Sequence, residues 1–220
     1  MNVDARSGWT VIVPVKHTSY GKSRLGADAA LARAIALDTL ERIAATPRVT
    51  RIALVTSDVA LADSARREIA GTRLDVVAEE LSPSQVLASD APTPIEHSLN
   101  DAVRAGLRGA ADGLVAAIHA DLPALHSDDL DDALRLAAHV PFGAVSDSEG
   151  RGTVMLTAQH PRDLKPSFGR DSYSSHLAAG AVPVPAAASL RRDVDTAAQL
   201  AAARDDPGLT LGRRTRSLAD

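Results

Sequence analysis

No cysteine occurs among the 220 residues, which excludes disulfides, thiolate metal sites and a cysteine nucleophile together. Any metal would have to be held by oxygen or imidazole. Aromatic residues make up 2% of the chain, so the core has to be built from Ala, Val, Leu and Ile. Platforms on which the bases of a polynucleotide could stack are missing with them, and no nucleic-acid polymer is expected as a partner. Lysine is equally scarce, Lys16, Lys22 and Lys165 being the only lysines among 24 basic residues. No apolar run approaches the length of a membrane span, and the first residues lack the charged-then-apolar pattern of a secretory leader. A soluble cytoplasmic protein without a membrane partner is expected.

What is present is ordinary for a globular chain: 45% hydrophobic residues, 24% charged residues and a formal net charge of -4. These values exclude a disordered chain or a strongly basic nucleic-acid binder. The length suits one domain spanning residues 1–220. Neither an internal repeat nor a linker interrupts it, and the residues after Asp206 (207–220) read as a loose C-terminal tail.

Hydrophobic periodicity predicts strands at Trp9 to Val15, Arg51 to Thr56 and Leu74 to Ala78. They alternate with helices from Ala29 to Ala45 and from Ser57-Asp58, a cap, to Ile69. A long Ser-, Pro- and Asp-rich loop between Glu79 and Pro94 reads as a base-binding or lid segment. A helix from about Ile95 to Leu107 leads into Val115-Ala116-Ala117-Ile118-His119-Ala120-Asp121. The unbroken apolar start of that run suits a central strand covered on both faces, with Asp121 at its tip and Pro123 stopping the ladder. Ser127 is the expected cap of the next helix, which ends near His139. Strands follow at Phe142 to Ser146, Thr153 to Ala158 and Ala181 to Val184, with a short helix from Asp171 to Ala179. Thr196 and Gln199 have the capping-box spacing of a last helix. Alternating strands and helices argue for an α/β fold with a mostly parallel sheet and helices on both faces.

Three places could carry chemistry. In open α/β sheets the ligand crevice lies outside the carboxyl ends of the strands, so a carboxylate at Asp121 would face substrate; Asp-Leu-Pro would equally serve a plain turn. Asp193 and Asp195 are one residue apart, and in an extended segment both carboxylates point to one side and repel unless a cation lies between them. With Asp121 they would form a hard, oxygen-only site suited to Mg2+. The alternative is that Asp195 simply starts the last helix. Lys16, Lys22 and Arg24 lie in the loop after the first strand, where α/β proteins commonly bind phosphate, although a solvated basic loop would look the same. The turns Gly150–Thr153 and Ser167–Ser172 offer amides and hydroxyls for a second anion. The histidines, His17, His119 and His176 among them, have no metal-ligand spacing and read as structural.

Five segments occur together in order: Lys22-Ser23-Arg24-Leu25, Ala120-Asp121-Leu122-Pro123-Ala124-Leu125, Gly152-Thr153-Val154-Met155-Leu156, Phe168-Gly169-Arg170-Asp171-Ser172 and Asp193-Val194-Asp195-Thr196. Over nearly the whole chain they resemble the phosphoenolpyruvate/2-phospho-L-lactate guanylyltransferases of coenzyme F-420 biosynthesis. The resemblance implies a Rossmann-like nucleotidyltransferase (GT-A-like) fold. It implies that Asp121, Asp193 and Asp195 hold Mg2+, and that Thr153, Gly169 and Ser172 contact a phosphoenolpyruvate-type acceptor. Lys16, Lys22 and Arg24 are implied to face the GTP phosphates, with catalysis resting on Lys22 and Arg24, and Asn100 to lie near the nucleotide. GTP and phosphoenolpyruvate are the implied substrates, and a downstream deazaflavin-accepting transferase the implied recipient of the product. One departure is Ala120, where the family usually has Gly.

The acceptors 2-phospho-L-lactate and 3-phosphoglycerate differ from phosphoenolpyruvate by few atoms, and the motifs look most like the type that uses phosphoenolpyruvate. A molybdopterin or sugar-phosphate nucleotidyltransferase would carry a Gly-rich first loop that this chain lacks. A non-catalytic α/β binding domain would leave the five ordered motifs unexplained.

Overall fold

The computed structural model of the chain describes residues 8–16, 29–78 and 95–219. Among the described residues, seven strands form one sheet: β1 (Trp9–Val15), β2 (Val49–Thr56), β3 (Arg73–Ala78), β4 (Val115–Ile118), β5 (Phe142–Ser146), β6 (Thr153–Ala158) and β7 (Val182–Pro183), in the order β3-β2-β1-β4-β6-β5-β7. β1 is parallel to β2 and β4, and β2 to β3, whereas β6 runs antiparallel to both β4 and β5. The mixed, mainly parallel sheet is therefore as expected, with its reversal at β6.

Successive residues of β1 point to opposite faces, and both faces are covered. Val11 and Val13 pack with Leu37 and Leu40 of α1 (Ala29–Ala44) and with Leu61 of α2 (Val59–Glu68). Ile12 packs on the other face with Ala102, Val103 and Ala105 of α3 (Ile95–Arg108). Helix α3 approaches β1 so closely that a Cβ on Gly106 would come within 2.5 Å of the Ile12 Cγ2 methyl. Pro14 is accommodated in a central strand because β4 pairs with β1 only from Thr10 to Ile12, leaving β2 alone alongside it.

Three expectations need correction. β4 ends at Ile118, so Asp121 lies three residues beyond the last strand residue, in a loop rather than on the strand tip. Helix α4 (Ser127–Ala137) has His126, not Ser127, at its N-cap, and no side chain caps it. The segment after Asp206 is no loose tail: Leu209 and Leu211 are buried, and α8 (Arg213–Leu218) packs on α1. Two leucines give too little periodicity to announce a packed segment, and its anchor is polar. Asp38 of α1, 3% exposed, accepts hydrogen bonds from the Arg214 and Thr215 amides and from the Arg214 guanidinium.

The other helices are α5 (Ser172–Ala178), α6 (Ala188–Arg191) and α7 (Ala197–Asp205). At α7 the expected capping box forms: Thr196 Oγ1 accepts from the Gln199 amide, and Gln199 Oε1 accepts from the Thr196 amide. Among the described residues, no helix is long and apolar enough to cross a membrane.

Candidate active site

The loop after β4 and the segment between α6 and α7 are stitched together at the carboxyl end of the parallel strands. The Val194 amide donates to the Asp121 carbonyl at 2.9 Å, and the Leu122 amide donates to Thr39 Oγ1 of α1 at 3.2 Å. Val194 is fully buried, in a cluster with Ile35 and Leu200. Val194 is turned inward between Asp193 and Asp195, and the Asp195 charge reaches the Asp193 carboxyl. The Asp195 amide is pinned by Gln199 Oε1 at 2.9 Å, so the capping box also fixes the backbone beneath that carboxylate.

Electrostatics show how near the carboxylates come. Burial pushes the Asp193 carboxyl up to about 7, and the negative charges of Asp121, Asp195 and Asp147 push in the same direction. Asp193 is thus a half-buried acid within reach of three other charges, an arrangement that a cation would relieve. Among the described residues, no group of three or more His, Asp or Glu side chains is already drawn into a metal-ligating cluster. The aspartates converge without forming a closed shell.

Asp147 is the member that the sequence does not announce. It opens the turn between β5 and β6, and its carboxylate accepts from the amides of Arg151 at 2.9 Å and Gly152 at 2.6 Å. A Cβ at Gly152 would lie 2.5 Å from Asp147 Oδ2, which explains the glycine. Arg191 holds the turn from behind, donating to the carbonyls of Ser146 at 3.2 Å and Asp147 at 2.8 Å. An Asp five residues before a Gly was the available signal, but it reads simply as a turn.

A second cluster surrounds the segment 167–172. Thr153, Ser172 and His176 are buried together. Ser172 Oγ accepts from the Thr153 amide at 3.1 Å and donates to Thr153 Oγ1 at 3.3 Å. His176 Nδ1 lies 2.9 Å from Thr153 Oγ1, and its Nε2 accepts from the Ser167 amide at 3.0 Å. Asn100 of α3 grips the next residue with both ends of its amide, donating to the Phe168 carbonyl at 3.1 Å and accepting from the Phe168 amide at 2.7 Å. Gly169 and Asp171 have positive φ, 151° and 53°, so the backbone turns sharply between them. His119 lies between the clusters: its Nδ1 is 3.9 Å from Asp121 Oδ1, and its ring centroid is 5.2 Å from that of Phe168.

Of the expected site residues, Asp121, Asp193 and Asp195 thus come to one region, and Thr153, Gly169 and Ser172 to a neighbouring one. Asn100 joins the second group through Phe168. Lys16 directly follows β1 and is half-buried. Lys22 and Arg24, and the proposed base-binding stretch 79–94, lie outside the described residues. Ala120 packs against the main core cluster, which directs its methyl group there.

Buried His176 has a consequence for acid stability. Burial first, and the nearby His119 second, hold its pKa down to about 4 from an ordinary 6.5. A histidine neutral in the fold but protonated when unfolded contributes stability that is complete above pH 6.5 and is lost as the pH falls toward 4. Urea midpoints of the chain and of His176→Gln, compared across that window, are expected to converge as acid is added. A constant difference between them would contradict a buried neutral imidazole.

The fold is one that solved nucleotidyl and sugar-nucleotide transferases share. A putative nucleotide-diphospho-sugar transferase from Desulfovibrio desulfuricans superposes with TM-score 0.61 at 15% identity, covering 96% of this chain and 93% of that one. A nucleotidyl transferase from Methanothermobacter superposes with TM-score 0.56 at 14% identity, covering 91% and 97%. No family model matches the chain. Whole-length relatives do: phosphoenolpyruvate guanylyltransferases from Salinispora arenicola, 40% identical over 96% of this chain and 92% of theirs, and from Streptomyces coelicolor, 37% identical over 96% and 95%. The chain belongs to the phosphoenolpyruvate guanylyltransferase family.

Proposed function

We propose that this chain condenses GTP with phosphoenolpyruvate, giving enolpyruvoyl-2-diphospho-5'-guanosine and pyrophosphate, in cytoplasmic biosynthesis of the deazaflavin coenzyme F-420. The observation that carries this reading is full-length similarity, at 36–40% identity, to relatives bearing that activity in their names. The product, a phosphoric anhydride, is handed to a downstream deazaflavin-accepting transferase.

The chemistry needs little from a general base. The acceptor's phosphate oxygen is already anionic at neutral pH, and it attacks the α-phosphorus of GTP. The new P–O bond forms as the bond to the β-phosphate oxygen breaks, and pyrophosphate departs with the electron pair. Alignment and charge neutralisation therefore dominate. We assign the triphosphate to Lys16, Lys22 and Arg24, and the acceptor to the segment around Thr153, Gly169 and Ser172. Asp121, Asp193 and Asp195 would hold Mg2+, which supplies positive charge to the triphosphate and the leaving pyrophosphate. The repulsion that Asp193 receives from Asp121, Asp195 and Asp147 supports that assignment.

Two measurements test the reading. Pyrophosphate release from GTP and Mg2+ is expected with phosphoenolpyruvate, and not with 2-phospho-L-lactate or 3-phosphoglycerate. Release with another acceptor instead would overturn the choice of substrate. For the metal, binding competes with protonation of Asp193, whose pKa is raised to about 7, so Mg2+ is expected to raise the melting temperature more at pH 8 than at pH 6. An equal shift at both values would argue against Asp193 as a ligand.

A further inference from the structure

Neither the reaction nor the family's motifs give His176 a task, yet it is fully buried at the junction of two segments. Its hydrogen bonds fix its proton. The Ser167 amide can only donate, so the Nε2 that receives it at 3.0 Å must be the bare nitrogen. The neutral ring then carries its hydrogen on Nδ1 and donates it to Thr153 Oγ1 at 2.9 Å. Through this one ring the backbone of the 167–169 loop is tied to β6.

Asn100 performs the matching task one residue on, receiving the Phe168 amide at 2.7 Å. Two consecutive loop amides are thereby turned inward. The next one, on Gly169, donates to none of the described residues. Phe168 is held between the two histidines, its ring centroid 5.2 Å from each. A loop with its first two N–H groups fastened inside and its third uncommitted at a glycine is shaped to offer that third group to an anion.

We propose that His176 is a positioning residue for the phosphorylated acceptor, locking Ser167 to Thr153 so that, with Asn100, it leaves the Gly169 amide for the acceptor's phosphate or carboxylate. This rests on the acceptor reading given above. It assigns His176 no contact with substrate. Its effect passes through the loop, so it falls on the acceptor and spares the nucleotide.

The test is steady-state pyrophosphate release with phosphoenolpyruvate and GTP varied separately, in the unmodified protein and in His176→Leu and His176→Gln. Leucine removes both hydrogen bonds and strands the Ser167 amide, and it is expected to raise KM for phosphoenolpyruvate by roughly tenfold or more, with KM for GTP within about twofold. Glutamine can accept at one amide atom and donate at the other, and is expected to recover most of the loss. If the leucine variant is poorly folded, the glutamine variant and His176→Asn carry the test; asparagine reaches Thr153 Oγ1 in place of Nδ1 but not the Ser167 amide, and is expected to show the same split between substrates.

Unchanged KM for phosphoenolpyruvate, or equal effects on both substrates in every folded variant, would overturn the positioning role while leaving the reaction intact. No turnover of phosphoenolpyruvate by the unmodified protein would instead overturn the reaction, and the proposal with it.

Discussion

Asp193→Asn is expected to lower guanylyl transfer by on the order of 10²–10³-fold while leaving the fold intact. The amide keeps the shape of the side chain but removes the charge that a cation would meet. Its effect on stability should have the opposite sign. The folded carboxyl titrates near 7 against an ordinary 3.8, so the fold binds this proton more tightly than the unfolded chain does. Ionising Asp193 therefore costs stability progressively as pH rises from about 4 to about 7. Without Mg2+, the asparagine variant should melt higher than the unmodified chain at pH 8, with the difference shrinking toward pH 4. Loss of activity with gain of metal-free stability is the signature of a carboxylate kept for function. An Asp193→Asn protein with full activity would remove the metal assignment.

The largest expected stability effect lies at the C-terminal segment. Arg214 bonds Asp38, Glu41 and Glu68 at once, and its side chain is 15% exposed against 2% for that of Asp38. Burial works against the Arg214 charge, but the three carboxylates more than offset it and push its pKa up. Arg214→Ala leaves Asp38 buried with only the two backbone amides of α8 as partners. The expected cost is about 3–5 kcal/mol, a drop in melting temperature of roughly 10 °C or more.

Because the Gly212 amide donates to the Pro123 carbonyl at 2.7 Å, loosening α8 also loosens the loop that carries Asp121. Activity should therefore fall with stability in Arg214→Ala. An alanine variant that melts within a degree or two of the unmodified chain would mean that the ion-pair cluster contributes little. Replacing both partners, Asp38→Asn with Arg214→Met, should recover part of the loss, since no unpaired charge then stays buried and the side-chain amide oxygen can still accept from α8.

Helix and strand positions were legible in the sequence because apolar residues repeat at the periods those elements impose. Ile35, Leu40 and Ile43 mark α1, and the unbroken run Val11, Ile12 and Val13 serves a sheet covered on both sides. Strand direction was not legible. β6 is buried at every residue, and such a run looks the same whichever way it points. The spacing of Asp193 and Asp195 announced two neighbouring charges, and between them Val194 is buried. Asp147 was hidden because its chain-local role is to cap a turn. The contacts of His176 and Asn100 were hidden for another reason: their partners lie 23 and 68 residues away, and no local pattern records such a contact. The packing of α8 escaped notice because Asp38, a charge in the middle of a helix, gives no sign from sequence that it is buried.

Central to the account is transfer of the guanylyl group to phosphoenolpyruvate, and following the α-phosphate of GTP tests it most directly. GTP labelled at the α-phosphorus is incubated with the protein, Mg2+ and phosphoenolpyruvate, with the downstream transferase and its deazaflavin acceptor present to draw off the product. The account predicts that one label per pyrophosphate released leaves GTP, appears in an enolpyruvoyl diphosphoguanosine, and ends as GMP once the transferase acts. Label that stays in GTP, or emerges as GMP without phosphoenolpyruvate, would contradict it.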